Sequence, residues 1–117
     1  MNSDTKTIFQ KIIDREIPSQ IVYETESLLA FKDIHPQAPV HILVVPKKHV
    51  ARLAEISEKE AELLGKLLVA AAHVAKLCGL EESGFRVVIN NGRHGGETVP
   101  HLHLHVLGGR PMKWPPG

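Results

Sequence analysis

The spacing of apolar positions changes several times along the chain, and each change marks an element. Ile8, Phe9, Ile12 and Ile13 recur at helical spacing, which predicts a short amphipathic helix to about Arg15 with cap candidates among Asn2, Ser3, Asp4 and Thr5. Ile17-Pro18-Ser19 breaks it. Ile21-Val22-Tyr23 reads as a first strand, Glu24 to Ser27 as a turn, and Leu28 to Asp33 as a second strand, so a hairpin is expected. His35-Pro36-Gln37-Ala38-Pro39 is irregular, because each proline removes a donor and restricts the residue before it. Val40 to Val45 is strongly strand-like and Pro46 closes it. Ser57 and Glu60 form a capping box ahead of a stripe at Leu64, Leu67, Leu68, Ala71 and Ala75, predicting a long helix from about 58 to 78 that ends at Gly79. Phe85 to Asn90 is the next strand, Asn91 to Thr98 a glycine-rich loop, and His101 to Leu107 a last strand ended by Gly108-Gly109. Short connections make the sheet largely antiparallel. The expected fold is α+β, with about five strands, a short N-terminal helix and one long helix.

The last strand carries the chemistry. His101, His103 and His105 alternate with Leu102, Leu104 and Val106. On a strand the imidazoles share one face and the apolar residues the other. Three clustered imidazoles suit a zinc site with an open position, or a nucleophilic histidine that attacks phosphorus with neighbours to orient it and protonate the leaving group. They also suit a histidine-rich edge strand without function. The upstream loop, with Gly92, Gly95 and Gly96, lets backbone N–H groups approach an anion, and Thr98 adds a hydroxyl. A phosphate held there lies beside the imidazoles. A metal site does not need the loop.

Composition narrows the setting. A chain of 117 residues with 43% hydrophobic content is one domain's worth. Fourteen basic and 13 acidic residues leave a net charge of +1, with no basic field that argues for nucleic acid. The polar stretch Asn2 to Thr7 gives no sign of a signal peptide, and no apolar run approaches the roughly 20 residues needed to cross a bilayer. The single Cys78 has no disulfide partner, so a reducing, cytoplasmic setting is expected.

His101-Leu102-His103-Leu104-His105-Val106-Leu107 resembles the histidine-triad signature, and the resemblance runs along nearly the whole chain. Thr7-Ile8-Phe9, Lys11-Ile12-Ile13, Ala30 to Ile34, Pro36 to Pro39, His41, Pro46 to His49, Gly108-Gly109-Arg110 and Trp114-Pro115-Pro116-Gly117 all look like the Hint branch of that superfamily, the purine nucleoside phosphoramidases. The resemblance implies one such domain over residues 1–117. It implies a homodimer whose two sheets join, and hydrolysis of adenosine or guanosine 5′-phosphoramidates to nucleoside monophosphate and amine, with no metal or cofactor. It further implies His103 as nucleophile, His105 as the partner contacting the phosphate and leaving amine, His101 as the residue orienting His103 through its carbonyl, and His41 as an extension of the relay. Asn90, Gly96 and Thr98 match the phosphate side, and Asp33 the ribose carboxylate. Ile8, Phe9, Ile12, Phe31 and Ile34 match the base pocket, and Trp114 a tail residue reaching the partner's site. Read without the resemblance, Ile8, Phe9, Ile12 and Phe31 are equally core residues, Asp33 a turn residue, His41 a solvent-facing one and Trp114 a tail anchor. His49 and His94 read as surface histidines. Thr98 stands where many relatives have serine, Pro100 removes a donor just before the triad, and His35 stands where several relatives have a small polar residue.

Overall fold

The computed structural model describes residues 6–117. Helix α1 spans Ile8–Ile13, and its cap is Thr7, whose hydroxyl accepts from the Gln10 N–H at 3.1 Å. The cap candidates Asn2 to Thr5 lie outside the described residues. Strands follow at β1 (Ile21–Glu24), β2 (Leu28–Lys32) and β3 (Val40–Pro46), then helix α2 (Ala61–Leu77), strand β4 (Phe85–Val88), a helical turn α3 (Gly92–Gly95) and strand β5 (Leu104–Gly108). All pairings are antiparallel and the order across the sheet is β1-β2-β3-β5-β4. The expected α+β architecture is therefore present, with β5 inserted between β3 and β4.

β3 reads as an unbroken apolar run because both of its faces are covered. Ile42 and Val44 join Leu28, Ala30, Leu104 and Val106 in a core against α2, while Leu43 and Val45 join Leu29 and Phe31 in a second core with Phe9 and Ile12 of α1. This period-two sorting puts His41 and His105 on the α1 side of the sheet, since each alternates with residues facing α2. The predicted stripe on α2 is shifted in part. Leu67, Ala71 and Ala75 are buried together with Ala70 and Val74, whereas Leu68 is 46% exposed. The Ser57–Glu60 capping box forms, but it caps a 3₁₀ turn at Glu58–Glu60, so the α-helix begins at Ala61. Gly79 ends the helix at φ +75°.

Two expectations about the last strands are corrected. Regular pairing in β5 begins only at Leu104, so His101 and His103 precede the strand. Pro100 has no N–H, the His101 N–H turns back to the Val99 carbonyl at 2.9 Å, and the Leu102 N–H goes to the Val50 carbonyl at 2.7 Å. These donors are spent outside the ladder, although the alternation of faces persists. The glycine loop is also more ordered than a simple turn. It winds through α3 and closes at Gly96, φ +80°.

Gly109 joins β5 to the tail at φ +91°, and a Cβ there would lie 2.8 Å from the Pro39 Cβ. Gly109→Ala is expected to destabilise the protein by about 2 kcal/mol through combined backbone strain and overlap, measured as a shift in the urea unfolding midpoint.

Candidate active site

Four imidazoles line the α1 side of the sheet where β3, β5 and the segment before β5 meet. His41, His101 and His103 are 6%, 0% and 5% exposed. Burial on this scale requires partners for the ring nitrogens. Main-chain groups supply most of them, and their polarity assigns the protons. The Gln37 N–H donates to His41 Nδ1 at 3.0 Å, so the His41 proton is on Nε2. That Nε2–H lies 2.9 Å from His105 Nδ1, which must accept, leaving the His105 proton on Nε2. His103 Nδ1–H donates to the His101 carbonyl at 2.7 Å, so the His103 Nε2 carries the free lone pair. His101 Nε2–H donates to the Pro46 carbonyl at 2.9 Å. The His103 and His105 rings stand 4.9 Å apart, and Phe9 packs edge-on against His103 at 4.9 Å and against His101 at 6.2 Å. Among the described residues, His105 Nε2 and His101 Nδ1 are buried without a hydrogen-bond partner. A pair of nitrogens therefore results: a lone pair on His103 and an unpartnered N–H on His105.

Burial also keeps these rings neutral. It is the first cause lowering the pKa of His41, His101, His103 and His105, and His105 is pushed down to about 4 with help from His103 and His41. For His103 the shift is opposed by its bond to the His101 carbonyl and by the charges of Glu97 and Asp33. Asp33 follows β2 directly. One of its oxygens accepts from the His35 N–H at 2.8 Å and the other lies 3.5 Å from His41 Nε2.

The remaining expected residues fall around this cluster. Phe9, Ile12 and Phe31 form the core beneath the histidines, while Ile8 and Ile34 are 46% and 75% exposed. Asn90 is half-buried just past β4, Gly96 closes α3, and Thr98 is exposed on the way to His101. Trp114 is 82% exposed on the tail and lies under the Arg86 guanidinium at 6.0 Å. His94 is exposed, as expected; His49 is exposed too, yet its Nε2 lies 3.0 Å from the Pro100 carbonyl and its ring stands edge-on to His101. Sequence reasoning missed Gln37 and Pro46 because they act through main-chain atoms. It also missed Glu97 and Arg52, which form a bidentate pair at 3.0 and 3.1 Å. A carboxylate inside a glycine-rich anion loop was the available signal for Glu97.

The geometry bears on the zinc alternative. His101 Nε2 and His103 Nδ1 donate to carbonyls and leave one lone-pair nitrogen on each ring, but among the described residues the three triad rings do not bring their ligand atoms together. Among the described residues, the group with metal-ligand proximity is Asp33, His41 and His105, one atom from each within 4.8 Å. In it the His41 and His105 nitrogens point at each other across a hydrogen bond, and both rings must turn before a cation enters. The three-histidine zinc set does not fit this arrangement.

Neutral buried histidines make stability depend on pH. The unfolded chain takes up protons near the ordinary histidine pKa of 6.5, whereas the folded His105 does so only near 4. The unfolded state thus binds more protons in that window, and stability falls as pH drops through it. Urea unfolding is expected to show a loss on the order of 2 kcal/mol between pH 6.5 and 4.5 from His105. His105→Gln should flatten the slope.

The HIT domain family model matches residues 14–112. The chain is 56% identical to the 14 kDa zinc-binding protein of Zea mays, over 97% of this chain and 90% of that one. It is 52% identical to adenylylsulfatase HINT1 of Arabidopsis thaliana, over 98% and 79%. The crystal structure of a HIT family hydrolase from Legionella pneumophila superposes with a TM-score of 0.93 at 47% identity, covering 96% of this chain and all of that one. With a family match over most of its length, and a Hint relative aligned almost end to end, the chain belongs to the Hint branch of the HIT domain family.

Proposed function

We propose that this chain hydrolyses purine nucleoside 5′-phosphoramidates through a covalent nucleotidyl-histidine on His103. The observation carrying the proposal is the pairing of a His103 Nε2 lone pair with a His105 Nε2–H that has no partner among the described residues. Membership in a family that contains hydrolases supports hydrolysis in general; the choice of a phosphoramidate rests on the resemblance of the whole chain to the Hint branch. His103 Nε2 attacks phosphorus and the P–N bond breaks. The leaving nitrogen takes the His105 Nε2 proton while His41 holds His105 Nδ1 as an acceptor, and a proton drawn from solvent restores His105, so both rings of the relay end neutral. The substituted His103 ring carries the positive charge that this proton brings in. Water then attacks phosphorus, releases its proton to solvent, and frees the nucleoside monophosphate with His103 neutral again. In this reading Asp33 accepts from the ribose hydroxyls, and Asn90, Gly96 and Thr98 surround the phosphate. Ile8, Phe9, Ile12, Phe31 and Ile34 flank the base. No residue role in this scheme calls for a metal.

The same nucleophile suits other leaving groups on an adenylyl phosphorus, and the Arabidopsis relative is named for adenylyl sulfate. We also propose a homodimer, in which Trp114 reaches the partner's site. Its support is that β4 forms one edge of the sheet and that the exposed apolar residues Phe85 of β4 and Val69 of α2 line one surface hollow.

Incubation with adenosine 5′-phosphoramidate, with and without a chelator, tests the reaction. His103→Ala should lose at least about a thousandfold in kcat while still binding AMP. Mass spectrometry of the wild-type protein quenched during turnover should find the adenylyl group on His103. Normal turnover by His103→Ala would sink the assignment, and activity lost to the chelator would restore a metal reading. Sedimentation should give a dimer for the wild type and a monomer for Val69→Glu.

A further inference from the structure

The glycine loop holds a charge that an anion site should not want. Glu97 lies between Gly96 and Thr98, and only 10% of its side chain is exposed. Its backbone N–H donates to the Gly92 carbonyl at 3.0 Å, and its carboxylate accepts the Gly92 N–H at 2.8 Å, so it closes the α3 turn on itself. Arg52 meets the same carboxylate with Nε and Nη2 at 3.0 and 3.1 Å, and its Nη1 reaches Glu55. The Ala54 N–H donates to Asn91 Oδ1 at 2.7 Å, a second tie between the same two segments. A guanidinium held bidentately is fixed in orientation as well as charge.

We infer that Arg52 and Glu97 act as a paired set of positioning residues: Glu97 holds the glycine loop closed and supplies negative charge near the nucleophile His103, and Arg52 cancels that charge toward the incoming phosphate. The inference rests on the proposed function for its phosphate, but not for its electrostatics. The charges that act on His103 are those of Glu97 from the loop and Asp33 after β2; the His105 ring of β5 stands 4.9 Å away, the His101 carbonyl takes the His103 Nδ1–H, and the neighbour from α1, Phe9, is uncharged. Of these, Glu97 and Asp33 carry negative charge, and Glu97 is paired with a cation, Arg52. Arg52 thus tunes how much of the Glu97 charge the site feels.

Charge and scaffold roles separate in three variants. Glu97→Gln keeps an oxygen for the Gly92 N–H and for Arg52 Nε, gives up the Nη2 bond, and removes the charge. Arg52→Gln leaves the carboxylate bare, and the double variant removes both charges. NMR titration of ¹⁵N-labelled imidazoles in the free protein reads His103, and calorimetry reads AMP binding. We expect His103 to titrate at lower pH in Glu97→Gln and at higher pH in Arg52→Gln. AMP binding should weaken about tenfold in Arg52→Gln and return to within about threefold of wild type in Arg52→Gln/Glu97→Gln. A His103 titration unmoved by Glu97→Gln, or a double variant binding AMP as weakly as Arg52→Gln, would overturn the inference. Should Arg52→Gln fail to fold, the Glu97→Gln titration decides alone. Should the wild type not bind AMP, the proposed function fails, while the titration still judges the link between Glu97 and His103.

Discussion

The hydrogen bond from His103 Nδ1 to the His101 carbonyl is the contact on which the site depends. A neutral imidazole has one proton and two nitrogens, and nothing intrinsic decides which nitrogen keeps it. A carbonyl accepts and never donates, so it removes that freedom. The proton stays on the inner nitrogen and the lone pair stays outward. The Gln37 amide does the converse for His41, and through His41 it sets His105. Two main-chain groups of opposite polarity thus give neighbouring histidines opposite chemical characters. The antiparallel pairing of β3 with β5, which sets Leu43 opposite His105, is what brings the two chains of influence side by side.

Burial makes this ordering durable and also costs stability. A charged imidazole would donate from both nitrogens, and the distinction between donor and acceptor would vanish. Desolvation by the α1 core disfavours that state, so the pattern holds through neutral pH. The same desolvation makes the fold vulnerable to acid. Phe9 and Phe31, which contribute the apolar surroundings, therefore do more than fill space: they keep the rings near them uncharged.

Much of this was legible in the chain. The alternation at His101 to Val106 anticipates which residues face α2, and the capping box and Gly79 locate the ends of the long helix to within a few residues. What escaped has a common cause. Strand periodicity says which way side chains point, not where backbone donors go, so the late start of β5 after Pro100 was hidden. For the same reason the roles of the Gln37 amide and the Pro46 carbonyl could not be read from side-chain identity. The shift in the buried stripe of α2, from Leu68 toward Val74, reflects how the helix is rotated on the sheet, a property of two surfaces together. The assignments of His103, His105, Asp33 and the loop came from resemblance, since spacing alone left three equivalent imidazoles.

Gln37 itself carries a broader consequence. Its side chain is exposed, and its part in the site is a single amide that every residue but proline possesses. The carbonyls at His101 and Pro46 are main-chain groups too, although both residues are buried. The proton on His41 is thereby insulated from drift at position 37, whose side chain can be replaced without rewriting the instruction. What such a lineage must preserve is the path of the main chain between Asp33 and His41. A loop deletion there would erase a proton assignment that side-chain substitutions within the loop, short of a proline, leave in place.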